Sequence, residues 1–315
     1  MMGTGPFAVP TFEALLGSRH DVVALVTRPT PAAVGRRKSP ANPMRDVGEA
    51  RGLSVFAPDD VNAAESLARL REFSADLFVV CDYGQILSPD CLRAAPLGGI
   101  NLHASLLPKF RGSAPINWAI YRGEKETGVS VIHMSPALDA GNLLAVKATL
   151  IEPTETAVEL EARLATLGIG PVLDSLEMLE QWDRVSPLGE PQNPQLVTNA
   201  RRLRKTDAEV KWTRSARQIE RQVRAFQPWP GTFVLWDRRG GEPLRLVLNR
   251  VTALGVEATA APGTVTQSDG KSLHVATGRG TLAIERIQPA GKRPMEIAEF
   301  LRGYALEEGT VLVTA

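Results

Sequence analysis

The sequence predicts an α/β fold: an N-terminal Rossmann-like domain with a mostly parallel sheet, then an OB-like β-barrel. Two observations carry this prediction. In the first half, short β-branched runs alternate with helical stretches, as in sheets whose strands are buried on both faces. In the second half, about five short strands are separated by Gly-rich and Asp-Gly turn signals. A chain of 315 residues has room for both cores.

The elements follow in order. Residues 10–16 suit a helix with proline in its first turn. Residues 22–27 and 77–81 are nearly wholly apolar and read as buried strands, with an amphipathic helix over 62–73 between them. Residues 128–134 and 143–151 read as two further strands around a loop over 135–142. A long helical region over 156–182 is interrupted near Gly168, Gly170 and Pro171. Residues 187–195 hold three prolines, a glycine and two glutamines, the composition of a linker. After a helix over 215–226, strands are expected at 232–236, 244–254, 263–267, 272–277 and 281–287.

Composition narrows the function classes. The hydrophobic share is 43% and the charged share 23%, as in soluble globular proteins. No apolar run approaches the roughly 20 residues of a membrane span, and no secretion signal opens the chain. Two cysteines, Cys81 and Cys91, cannot make a disulfide framework, so a reducing cytoplasm is expected. The net charge of +1 hides an asymmetry: residues 1–200 carry 17 Lys+Arg against 23 Asp+Glu, and residues 201–315 carry 19 against 12. A basic second half suggests that one part of the molecule faces a polyanion, and a small barrel suits a nucleic-acid contact.

The opening Gly3-Thr4-Gly5-Pro6-Phe7-Ala8 fits a dinucleotide-binding fingerprint. That motif requires a preceding strand and an acidic residue about 20 positions on. Only Met1 and Met2 precede it, and the second strand ends without an acid. A tight strand-to-helix turn is the better reading. The first strand is then very short, or the natural start lies upstream.

The chemistry concentrates at Asn101-Leu102-His103. In a strand, Asn101 and His103 share one face. An amide can donate to a developing oxyanion while an imidazole carries the proton, a pairing suited to acyl transfer. Asp139 lies in the loop Leu138-Asp139-Ala140-Gly141, and a carboxylate near an imidazole favours the cation and fixes the ring. His20, His133 and His274 read as surface or structural side chains. No metal is expected: zinc-binding spacings are lacking, as is a nucleophile elbow around any serine.

Asn101-Leu102-His103-Ala104-Ser105-Leu106-Leu107-Pro108, followed by Lys109-Phe110-Arg111-Gly112-Ser113-Ala114-Pro115-Ile116, resembles the signature of the methionyl-tRNA formyltransferases. The resemblance covers nearly the whole chain. It extends to Gly3–Pro10, to Tyr83-Gly84-Gln85-Ile86-Leu87, to the Asp139 loop, and to segments at 224–231 and 288–295. The Asn–His–Asp set is shared by folate-dependent formyltransferases of this fold and so fixes the reaction class. The C-terminal segments narrow the acceptor.

The resemblance implies a catalytic domain over 1–188, a linker over 189–205 and a tRNA-binding OB-like domain over 206–315. It implies 10-formyltetrahydrofolate as formyl donor, held by Ser105, Leu106, Leu107 and Pro108 with Tyr83, Gly84 and Leu87. Asn101, His103 and Asp139 would be catalytic, and initiator methionyl-tRNA the partner. The basic loop Arg36-Arg37-Lys38, which is less rich in lysine and glycine than the family's, would grip the tRNA acceptor end. The protein is expected to act as a cytoplasmic monomer with no membrane partner. The rival within the fold is a formyltransferase acting on an amino-sugar nucleotide. A nucleic-acid-binding protein without catalysis and an NAD-dependent oxidoreductase are further alternatives.

Overall fold

The computed structural model describes residues 1–31, 40–238, 242–257 and 259–314. Two compact units are resolved. The first comprises residues 1–115, 126–150 and 160–201, and the second comprises 116–125, 151–159 and 202–314.

In chain order the first half contains α1 (Val9–Leu16), β1 (Ala24–Val26), α2 (Pro43–Ala50), β2 (Ser54–Phe56), α3 (Ala64–Glu72) and β3 (Phe78–Val80). There follow α4 (Pro89–Leu92), β4 (Gly99–His103), α5 (Pro115–Arg122), β5 (Glu126–His133), β6 (Leu143–Leu150), α6 (Ala157–Leu167) and α7 (Ile169–Glu180). Strands β1 and β2 pair in parallel, as do β3 and β4, while β4–β5 and β5–β6 are antiparallel. Met2 joins the two halves of this sheet, bridging Val26 on one side and Val80 on the other in parallel register. Its N–H donates to the Val79 carbonyl at 2.8 Å, and its own carbonyl accepts from Cys81 at 2.9 Å. Met2 thus occupies a strand position in the middle of the sheet.

Alternation along the strands sets the two faces. Val26, Phe78 and Val80 pack with Met2, Leu70 of α3 and Leu92 of α4. Leu25 and Leu102 point the other way, Leu25 toward Gly48 of α2 and Leu102 toward Gly168 before α7. The glycines of the opening motif are explained by the same packing. A Cβ on Gly3 would lie 2.8 Å from the Cys81 carbonyl, and one on Gly5 would lie 1.8 Å from Asp82 Oδ2. Close approach alone demands glycine at both positions.

The second unit holds α8 (Ala216–Ala225), β7 (Thr232–Trp236), β8 (Leu244–Leu254), β9 (Val265–Ser268), β10 (Leu273–Ala276), β11 (Thr281–Pro289), β12 (Met295–Glu296), α9 (Ile297–Gly303) and β13 (Leu312–Val313). The antiparallel path runs β13-β7-β8-β11-β10-β9, with β12 on β11. It curls back on itself, since Thr264 bridges Val311 and Leu312 N–H donates to the Gly263 carbonyl at 2.8 Å. Inward residues of the strands, among them Val234, Leu246, Leu248, Val275, Leu282 and Ile284, form its core with Ile219 and Val223 of α8 and Phe300 of α9. Residues 116–125 pack in this unit. The Tyr121 ring stacks on Phe226 at 5.1 Å, and Trp118 meets Phe226 edge-on at 6.0 Å.

Candidate active site

β4 carries the two residues that the sequence singled out. Asn101 and His103 lie two apart on one face, Asn101 half-buried and His103 buried, while Leu102 between them faces α7. His103 Nε2 lies 2.9 Å from the Phe110 carbonyl oxygen. A carbonyl only accepts, so Nε2 bears a proton and Nδ1 is left as the atom at which the ring gains or releases one. Nδ1 faces Asp139 Oδ2 at 3.8 Å, and both side chains are about nine-tenths enclosed. Among the described residues the Asn101 amide has no hydrogen-bond partner, so its N–H groups remain available.

The Asp139 loop reaches this face from the end of β5. β5 ends at His133 opposite Ile100, three residues before His103 in β4 register. The loop turns sharply there, since a Cβ on Gly141 would lie 1.8 Å from the His133 carbonyl. Asp139 itself has φ +50, a left-handed conformation that a non-glycine residue adopts only when held. Its Oδ2 accepts the Gly112 N–H at 2.7 Å. Gln192 Nε2 donates to the main-chain carbonyls of Asp139 and Gly141, each at 2.8 Å.

The loop after β4 is held by its own hydrogen bonds and by β5. Ser105 is fully buried and donates to the Lys109 carbonyl at 2.7 Å. Ser130 of β5 donates to the Ser105 carbonyl at 2.7 Å and accepts from Leu107 N–H at 3.0 Å. Leu107 and Pro108 are buried, and Leu106 is half-exposed. Of the segment after β3, Tyr83 and Leu87 place their side chains in the apolar core with Met2 and Leu70. Gly84 is exposed with φ +81. Asp82 packs its carboxylate against Gly5, while the residue as a whole keeps an exposed surface. Lost hydration, with the Glu161 charge adding to it, pushes that carboxyl up to about 6. Arg36, Arg37 and Lys38 lie outside the described residues.

Sequence reasoning missed Gly112, Ser130, Arg111 and Gln192 as parts of this arrangement. Ser130 left a faint signal, a hydroxyl within the apolar run Val129-Ser130-Val131-Ile132. Gln192 left none, since it sits 53 residues beyond Asp139 in a stretch with linker composition. Residues 189–201 belong to the first unit instead, through paired hydrogen bonds between Leu143 and Glu190 and a bridge between Arg111 and Asn199.

By its two matched domains the chain is a formyl transferase. The family model described as "Formyl transferase" matches residues 1–172, and "Formyl transferase, C-terminal domain" matches residues 202–305. The methionyl-tRNA formyltransferase of Rhodopirellula baltica is 45% identical, across 99% of this chain and 96% of that protein. That of a Methylobacterium species is 41% identical, across 99% and 97%. The chain belongs to the methionyl-tRNA formyltransferase family. Among solved structures, the sugar 3N-formyl transferase WlaRD aligns with TM-score 0.65 at 14% identity, covering 93% of this chain and 97% of that one. An N-formyltransferase from Helicobacter canadensis aligns with TM-score 0.63 at 14% identity, covering 90% and 97%. At that identity the two structures share the fold alone.

Proposed function

We propose that this protein transfers the formyl group of 10-formyltetrahydrofolate to the α-amino group of methionyl-initiator tRNA. The observation that carries the reading is similarity along the full chain, barrel included, to relatives bearing that activity in their names. The amino-sugar alternative rests on fold likeness at 14% identity and lacks such support.

The residues present fit a formyl donor by their chemistry: a free amide, an imidazole with one uncommitted nitrogen, and a carboxylate beside it. When bound, the folate supplies an activated formyl group on nitrogen. Asn101 donates to the formyl oxygen as it gains charge. His103 would take the amine proton at Nδ1 and pass it to the folate nitrogen as the formyl–nitrogen bond breaks, while Asp139 balances the transient cation. Ser105, Tyr83 and Leu87 turn inward, so with Leu107, Pro108 and Gly84 they would hold the donor through the main chain and the shape of the loop. Leu106 would contribute its half-exposed side chain. Arg36, Arg37 and Lys38 would grip the acceptor end of the tRNA.

The reading places the protein in the cytoplasm with its tRNA, as a monomer. Among the described residues, no helix is long and apolar enough to cross a membrane. Formyl transfer to methionylated initiator tRNA tests the proposal, with elongator tRNA and an amino-sugar nucleotide as controls. Selective formylation of the initiator supports it, and preference for the sugar nucleotide would overturn it.

A further inference from the structure

We infer that Gln192 is a positioning residue for the catalytic carboxylate, an inference that rests on the activity proposed above. Its side chain is read from both ends. Arg111 donates from Nε and Nη2 to Gln192 Oε1 at 3.1 and 2.7 Å. That fixes the amide orientation and turns Nε2 toward the carbonyls of Asp139 and Gly141, both 2.8 Å away. The one amide thus accepts through its oxygen and donates through its nitrogen.

The segment carrying Gln192 also ties down the other loop that shapes the site. Thr198 Oγ1 accepts the Phe110 N–H at 2.8 Å, and Ala200 N–H donates to the Arg111 carbonyl at 2.7 Å. Phe110 supplies the oxygen at His103 Nε2, and Gly112 supplies the donor at Asp139 Oδ2. Residues 190–200 therefore hold both loops between which the His103–Asp139 pair is set. The Asp139 backbone lies in a left-handed conformation, which its surroundings must maintain. Gln192 is the side chain that grips that residue by its carbonyl.

The test uses the full chain and two variants. Gln192→Leu removes both interactions, whereas Gln192→Glu keeps an acceptor for Arg111 and loses the donor. Each should lower kcat about tenfold and leave KM for folate and tRNA within about twofold, since a small displacement of a catalytic group costs rate before binding. In an Asp139→Asn background, Gln192→Leu should cost less than about twofold, because the two act through one group. The Gly112 amide resonance in a 15N-labelled sample should move upfield in Gln192→Leu as its bond to Asp139 weakens. Equal losses in both backgrounds, a loss confined to KM, or an unmoved Gly112 resonance would overturn the inference. Failure of the wild-type protein to formylate methionyl-tRNA would instead sink the proposed activity, while the Gly112 resonance would still report on the positioning.

Discussion

Gly112 donates its backbone N–H to Asp139 Oδ2 at 2.7 Å, and the same oxygen lies 3.8 Å from His103 Nδ1. A main-chain amide thus sets where the carboxylate meets the ring. Gly112 has φ +118, and a Cβ there would stand 2.7 Å from the Ala200 carbonyl. Gly112→Ala must shift that backbone, and a forced left-handed side chain costs about 1–3 kcal/mol. Urea melts should show a loss of that size, and turnover should fall at least about tenfold. Wild-type kcat in a folded Gly112→Ala protein would refute the assigned geometry.

Asn101 is the test of oxyanion stabilisation. Its strand position is held by main-chain pairing with β3 and β5, so truncating the side chain leaves the backbone in place. Removing one such donor commonly costs about 10²–10³ in rate. Asn101→Ala should show that loss in kcat with little change in KM for methionyl-tRNA. Turnover within threefold of wild type would exclude the role.

Ser130 predicts the opposite split. Its buried hydroxyl joins the Ser105 carbonyl to the Leu107 N–H. Ser130→Ala leaves both main-chain groups short of a partner, at a cost of about 1–3 kcal/mol. The loop then loosens where the folate is proposed to lie, so KM for the formyl donor should rise several-fold more than kcat falls. A lower kcat with unchanged donor KM would detach this loop from folate binding.

How much was legible in the sequence follows from how local each cause is. Buried strands such as β3 and β7 announce themselves through continuous or alternating apolar residues, and α3 and α8 through helical spacing. The segments α2, β2, α5, α9, β12 and β13 did not, being eight residues or fewer and set in place by contacts from elsewhere. Asn101 and His103 stood out as candidates because they share a strand, and Asp139 because it lies in a loop at strand ends. Gln192 and Gly112 act on main-chain atoms far away in sequence, and no residue pattern encodes a hydrogen bond of that kind.

Asp82 gives stability a pH dependence of known sign. Its carboxyl rises from an ordinary value of 3.8 to about 6 in the folded protein, through lost hydration and then the Glu161 charge. The folded state therefore binds the proton more tightly, and stability falls as pH rises through about 4 to 6. Above that window the full penalty of the ionised group remains. Asp82→Asn should exceed wild type in urea midpoint at pH 7.5, and the gap should close toward pH 4. A gap that stays constant with pH would mean that the carboxyl titrates alike in both states.

The basic segment Arg36-Arg37-Lys38 yields a separate prediction about substrate choice. Arg36, Arg37 and Lys38 sit in an otherwise acidic first half, where residues 1–200 carry 17 basic against 23 acidic side chains. A polyanion approaching that half needs a local cationic contact, and three consecutive charges supply one. Each lost phosphate contact lowers the slope of log K against log[salt] by about 0.7–0.9. Replacing Arg36 and Arg37 together with alanine should therefore reduce the salt slope of tRNA binding by about 1.5. The tRNA KM should rise at low salt, and donor KM should not change, because folate carries no comparable backbone charge. If the slope and the tRNA KM both match wild type, these residues do not touch the tRNA, and selection of the acceptor must rest on the basic second half alone.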